Sequence, residues 1–148
     1  LIDNVNLKNI DLKFIRDNIT YIGQDEYLFT DTIYNNLSFL CSDLNKIKKA
    51  LNTCLFNIDT NYLLFDNGIN LSGGERKKLI VARGLICCKN ILILDEVFNE
   101  IDILEERKIL NNIFAMYKNL TVIFISHRYQ NHDLFDIEFD FNKKEVIV

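Results

Sequence analysis

The chain has 148 residues, 49% hydrophobic and 26% charged, with a net charge of −4. That is the size and balance of one globular domain, or of one domain that has been cut, with residues enough for a sizeable core. It excludes a global basic field that would steer the chain to nucleic acid, and no apolar run approaches the roughly 18 residues of a membrane helix.

The N-terminal stretch "LIDNVNLKNIDLK" has no start methionine and no charged-then-apolar signal order, and reads as a piece of something longer. Ile19 to Ile22 is a short β-branched and aromatic run, which predicts a strand, and it ends on Gly23-Gln24. Helical patterns then fill Thr32 to Phe56, with polar breaks at Ser42-Asp43 and Asn57. They interrupt the α/β rhythm and read as an inserted lobe.

The next segment is "LSGGERKKLIVARGL", Leu71 to Leu85. Ser72 and Glu75 have the S-x-x-E spacing of a capping box. Gly73 and Gly74 bare the backbone amides at that helix start, which makes an anion site one reading and a capped helix alone the other. Arg76, Lys77 and Lys78 read as a solvated helix face. Cysteines stand at 41, 54, 87 and 88, without a C-x-x-C pair and with two distant histidines, which argues against zinc. The apolar neighbours of Cys87 and Cys88 predict buried, reduced thiols of a cytosolic protein.

Ile91 to Leu94 predicts a second strand that delivers Asp95 and Glu96. Paired carboxylates at a buried strand end suit Mg²⁺ coordination by Asp95 and water activation by Glu96, against the plainer reading of a solvated strand end. Ile103, Leu104, Ile109 or Leu110, Ile113, and Met116 or Tyr117 recur at helical spacing. Thr121 to Ile125 predicts a third strand, ending on Ser126-His127, and closes a βαβ unit. His127 at that place can contact a developing phosphate charge. The tail alternates through Ile137, Phe139 and Phe141, then turns at Asn142-Lys143-Lys144, as a β-hairpin does. The three strands are apolar throughout, so both sheet faces are expected to be covered. Ligands of such sheets sit at the carboxyl ends, which puts Gln24, Asp95, Glu96, Ser126 and His127 on one rim.

"YIGQ", "LSGGE", "ILILDE", "NEID" and "SH", in that order and spacing, resemble the ATP-binding cassette ATPases of ABC transporters, exporter type, over nearly the whole chain. The resemblance implies an α/β, P-loop NTPase-like (RecA-like) core of parallel strands, residues 1–24 and 88–148. It implies an inserted ABC-type helical subdomain, residues 25–87. It gives Gln24 the Q-loop role toward Mg²⁺ and the attacking water, Asp95 the metal-binding Walker B role, and Glu96 the general base. Leu71, Ser72, Gly73, Gly74 and Glu75 match the signature loop, which binds the ATP phosphate held by a second cassette. Asn99 to Asp102 match the D-loop at the dimer seam, and His127 the switch histidine. Asp25 to Leu37 resembles the segment that faces the transmembrane domain, so the implied place is the cytoplasmic face of a membrane.

The chain departs from the family most in lacking any Gly-Lys pair, and so the G-x-x-x-x-G-K-[ST] phosphate loop. The adenine-stacking aromatic is also missing. The chain therefore reads as an N-terminally truncated cassette, unable to hold ATP tightly or turn it over by itself. Gly23 replaces a frequent proline, which implies a looser Q-loop; Glu75 replaces a common glutamine. Glu100 replaces a small residue, and Val97 and Phe98 are bulky, which bears on the packing of the dimer seam. Two alternatives stay open. One is a non-transport ABC ATPase of translation or repair, although the compact insert between Gln24 and Leu71 leaves no room for a repair-type coiled coil. The other is a degenerate cassette serving as an interaction module, against which Asp95, Glu96 and His127 stand.

Overall fold

A computed structural model describes residues 2, 4–128, 130–140 and 145–147, the last three by backbone alone. The apolar runs form a parallel sheet of β1 (Ile19–Ile22), β2 (Ile91–Asp95) and β3 (Thr121–Ile125), in the order β1-β2-β3. β1 pairs with β2 from Ile19↔Ile91 to Ile22↔Leu94, and β2 with β3 from Ile91↔Thr121 to Asp95↔Ile125. Since all three run the same way, the residues just past them gather along one edge. The helices are α1 (Leu12–Asn18), α2 (Ile33–Ser38), α3 (Leu44–Thr53), α4 (Gly73–Cys87) and α5 (Ile103–Met116). β4 (Glu138–Asp140) and β5 (Glu145–Ile147) pair antiparallel as the tail alternation predicts; Phe141 and the expected turn at Asn142-Lys143-Lys144 lie outside the described residues.

Each helix begins at a side chain that accepts from its free amides: Asp11, Thr32, Asp43, Ser72 and Asp102 in chain order. At α4 the capping box is complete. Ser72 Oγ accepts from the Glu75 amide at 3.3 Å, and the Glu75 carboxylate accepts from the Ser72 amide at 2.8 Å and its hydroxyl at 2.7 Å. The short helix α1 is absent from the sequence reading. Its Asp11 cap is legible, but Leu12 and Phe14 are exposed, so no core stripe marks it.

One apolar core runs through the whole arrangement. Leu28, Ile33 and Ile47 of the insert are fully buried in the same cluster as Leu92 and Leu94 of β2 and Ile109 of α5. The insert therefore shares its centre with the sheet. Lys49 of α3 strengthens the join: its Nζ donates to the Met116 carbonyl at 2.8 Å and lies 4.2 Å from the centre of the Tyr117 ring.

Three expectations are corrected. Among the described residues the sheet is covered on one face only. Ile22, Leu92 and Leu94 are buried, while Tyr21, Ile123 and Ile125, pointing the other way, are 57%, 46% and 40% exposed. Helix α4 packs against β1 on the buried side, and the side-chain period of 2 sends alternate residues to the open side. On α5, Leu104 and Met116 point outward, and Glu106 takes a core position at 1% exposure because Arg128 and Asn131 both bond its carboxylate. Cys87 is exposed, with its Sγ turned to the Leu40 carbonyl, while Cys54 is the buried thiol.

Asn36, fully buried, is the polar centre of the insert. Its amide donates to the Phe29 and Thr32 carbonyls, both at 3.0 Å, and its oxygen accepts from the Phe29 amide at 2.8 Å. We predict that Asn36→Leu, nearly isosteric but unable to bond, lowers stability by about 2 kcal/mol, because the Phe29 backbone loses its partners; urea unfolding measures this. A second prediction concerns Glu75, whose carboxyl the Ser72 hydroxyl and amide hold below the ordinary carboxylate range. A depressed folded value gives stability that is present above the unfolded value and lost as pH falls through the folded one. Glu75→Ala is therefore expected to cost about 1 kcal/mol at neutral pH, and the two proteins' unfolding midpoints should converge in acid.

Candidate functional site

The site is built around the end of β2. After Asp95 the chain turns sharply: Glu96 has a left-handed backbone, φ 50°, a conformation costly for a residue with a side chain. Its amide donates to the Ile125 carbonyl at 3.0 Å, which carries the β2–β3 ladder one bond past the strand. The turn brings the carboxylate back over the strand ends. There one oxygen, Oε2, accepts from Gln24 Nε2 and from Asn99 Nδ2, the latter at 3.3 Å. The other, Oε1, lies against His127 Nε2. The loops after all three strands thus converge on one carboxylate. The His127 side chain is 84% exposed and the Glu96 side chain 18%, so the imidazole stands at the mouth and the carboxylate inside. A carboxylate fixed in this way can orient a water and accept its proton.

Asp95 has a different partner: the Tyr21 hydroxyl donates to its Oδ2 at 2.7 Å. The oxygens of Asp95 and of the Gln24 amide suit a hard cation such as Mg²⁺. Among the described residues no cluster of three or more His, Cys, Asp or Glu could cage a metal. That donor set fits a cation that takes its other ligands from water and from a phosphate.

At the start of α4 the glycine pair meets the chain itself. A Cβ on Gly73 would lie 2.0 Å from Glu100 Oε2, and one on Gly74 would lie 3.3 Å from the Glu100 carbonyl oxygen. The 99–102 loop therefore rests directly on the first turn of the helix, and a side chain at residue 73 would turn the Glu100 carboxylate away. The Glu100 carboxylate has Lys77 Nζ 3.9 Å away and sits at the positive end of the helix. Val97 and Phe98, the bulky residues of that loop, turn inward and are buried, Phe98 against Phe124. Asp102 caps α5 by accepting from the Leu104 amide at 2.9 Å. Leu71 packs against the core. The Ser126 hydroxyl accepts from the Arg128 amide at 3.0 Å and is not among the groups that meet Glu96.

The basic residues of α4 are not a solvated face. Lys77 and Arg83 are 6% and 9% exposed. Lys77 Nζ donates to the Gln24 carbonyl at 2.7 Å, Arg76 to the Glu26 carbonyl at 2.7 Å, and Arg83 to the Tyr27 carbonyl at 2.6 Å. Arg83 also pairs with the Glu26 carboxylate at 3.1 Å, and Lys78 with Glu105 at 2.5 Å. The cause lies in the segment past Gln24, which has no ladder of its own and whose carbonyls need donors. The loop that Gly23 was expected to loosen is thus held along its backbone. A further positioning residue that sequence reasoning missed is Arg128, which donates to the Asn99 carbonyl and, at 2.7 Å, to the Ile101 carbonyl. An arginine inside the apolar run "LIVARGL" was the available signal for Arg83; Arg128 gave none.

Comparisons with known proteins bear on the family and the fold. The model of the ABC transporter family matches residues 1–99. The chain is 35% identical over 137 residues to the transport/processing ATP-binding protein ComA of Streptococcus pneumoniae serotype 4, spanning 84% of this chain and 18% of that protein. It is 34% identical over 139 residues to the ATP-dependent lipid A-core flippase of Pasteurella multocida, spanning 86% of this chain and 24% of that one. Its fold matches a bacterial Atm1-family ABC exporter with ATP bound, at a TM-score of 0.83 and 25% identity, over 93% of this chain and 26% of that one. The chain thus corresponds to a minor part of each relative's length. The parallel core, the motifs in sequence order and the family match together place the chain in the ABC transporter family.

Proposed function

We propose that this chain is the signature-bearing part of an ATP-hydrolysing cassette that powers an exporter, and that Glu96 is its general base. The observation that carries the proposal is the convergence of Gln24, Asn99 and His127 on the Glu96 carboxylate. Gln24 and Asn99 hold one carboxylate oxygen in place. The other lies against His127; with the exposed imidazole swung outward, a water bound to that oxygen would lie where Glu96 can take its proton. As the water attacks the γ-phosphorus in line, His127 would donate to a phosphoryl oxygen as charge develops there. Gln24 would turn its amide oxygen to the cation while its amide nitrogen stays on Glu96, and Asp95 would supply the carboxylate ligand. Mg²⁺, when bound, neutralises charge on the phosphates.

On this reading Leu71, Ser72, Gly73, Gly74 and Glu75 meet the phosphate of a nucleotide held by a second cassette, with Asp102 and its loop at the seam. The segment Asp25–Leu37 would face the membrane domain at the cytoplasmic side. Its support is an exposed aromatic patch: Tyr27, Phe29 and Phe39 are 51%, 46% and 71% exposed and stack edge to face, with Phe39 just past that segment. Among the described residues no helix is long and apolar enough to cross a membrane. The open sheet face at Tyr21, Ile123 and Ile125 supports a further part of the proposal. Parallel sheets are ordinarily covered on both faces, and residues of the intact protein outside this stretch would cover this one and bring the phosphate loop.

Two measurements test the proposal. In the full-length protein, Glu96→Gln should lower the steady-state ATPase rate by at least about 100-fold while MgATP still binds; equal rates would remove Glu96 as the base. The 148-residue stretch itself should show no saturable MgATP binding in the micromolar range by calorimetry. Micromolar binding to it would overturn the assignment of the phosphate cradle to residues outside it.

A further inference from the structure

The hydroxyl of Tyr21 and the small size of Gly23 serve one end. We propose that Tyr21 is a positioning residue that fixes the Asp95 carboxylate for its cation, and that Gly23 is required because any side chain there displaces the Tyr21 ring. The inference rests on the reading of Asp95 as the cation's carboxylate ligand.

The register makes the contact a diagonal one. Tyr21 pairs with Ile93, and Asp95 lies two residues further along β2 on the same, open face. A tyrosine is long enough to span that diagonal, and its hydroxyl donates to Asp95 Oδ2 at 2.7 Å. At 57% exposure, Tyr21 is not placed there by burial. Its position is set by this bond and by the backbone beneath the ring. A Cβ at Gly23 would lie 2.9 Å from both Tyr21 Cε1 and Tyr21 Oη, closer than unbonded atoms tolerate. Residue 23 is buried, so the backbone has no room to retreat.

The chemistry of the donor matters. A carboxylate at a strand end turns about two side-chain bonds, and ordering it on cation binding costs conformational entropy. A phenol bonded to one oxygen fixes that rotation beforehand and leaves the other oxygen free. Being neutral, it does so without cancelling the charge that attracts the cation; a lysine or arginine in its place would compete with the metal. A ligand's hydrogen-bonded neighbour acts on affinity in this way at metal sites generally. Cover over the open face would exclude water from the bond and strengthen it.

The test uses the full-length protein and two readouts. The first needs no metal: 3-fluorotyrosine incorporated at position 21 gives a single ¹⁹F resonance. That line should move in Asp95→Asn, which replaces the charged acceptor by a neutral amide, and in Gly23→Ala, which displaces the ring. The second is Mn²⁺ binding, followed by electron paramagnetic resonance with a non-hydrolysable ATP analogue. Asp95→Asn should abolish tight Mn²⁺ binding, and Tyr21→Phe should weaken it roughly ten-fold. Gly23→Ala should match Tyr21→Phe, and the double variant should be no weaker than either alone. If Asp95→Asn abolishes binding while Tyr21→Phe leaves it unchanged, the positioning role is wrong and the reading of Asp95 stands. If Asp95→Asn itself leaves binding unchanged, that reading fails and the inference with it. A ¹⁹F line indifferent to Asp95→Asn would also overturn the inference, and Tyr21→Phe, which removes one exposed hydroxyl, leaves folding intact.

Discussion

The backbone past Gln24 sets the central constraint. It leaves β1 without a strand to pair with, yet it crosses the buried flank of α4, so its carbonyls must find donors. Arg76, Lys77 and Arg83 supply them at residues 26, 24 and 27. Charged donors make these bonds stronger than amide bonds, and the long side chains bury their stems along the helix while doing so. The consequence reaches both ways. The Gln24 backbone cannot shift without breaking its bond to Lys77, and α4, with Ser72 and the glycine pair at its head, is tied to the same rim that holds Glu96.

Glu96 is where local preference yields to the site. Its left-handed backbone runs against the preference of a residue with a side chain, and the cost is of order 1–3 kcal/mol. Four contacts offset it: the ladder bond to Ile125, and side-chain partners at Gln24, Asn99 and His127. An ordinary extended residue there would put its side chain on the sheet face opposite Asp95. The strain therefore has a structural reading: it folds the carboxylate back into the gap between the loops. Arg128 serves the same end from outside, since it holds the carbonyls of Asn99 and Ile101 and is itself paired with the buried Glu106.

Strand positions, the capping box and the shared rim could be read from the sequence because each is a local pattern. A four- or five-residue apolar run, an S-x-x-E spacing and a polar residue after a strand need no tertiary knowledge. What could not be read depends on neighbours. Lys77 and Arg83 look like surface residues until the segment that needs their protons is laid beside them. Glu106 looks like a surface position of α5 until Arg128 and Asn131 arrive. Leu104 and Met116 fit a helical period but fall off the buried face, because the core side is set by Glu106, Ile109, Leu110 and Ile113. The sheet's open face was hidden for the opposite reason. Apolar composition announces that a face wants cover, and composition cannot say whether these residues supply it.

The glycine pair of the signature segment joins these strands of argument. Within this chain Gly73 and Gly74 leave room for Glu100 to lie on the first turn of α4. A carboxylate at that end is stabilised by the helix's positive pole, which is also what a phosphate would use. On the proposed function the two anions compete for one place, and Lys77 is close to it: its Nζ lies 3.9 Å from Glu100 and donates to the Gln24 carbonyl at 2.7 Å. On that reading a phosphate arriving at α4 would displace the Glu100 carboxylate, and with it the loop that carries Glu100. Asn99 is part of that loop and bonds Glu96. On the proposed function, arrival of an anion at one end of the helix would bear on the orientation of the Glu96 carboxylate at the end of β2, through contacts already present in a single chain.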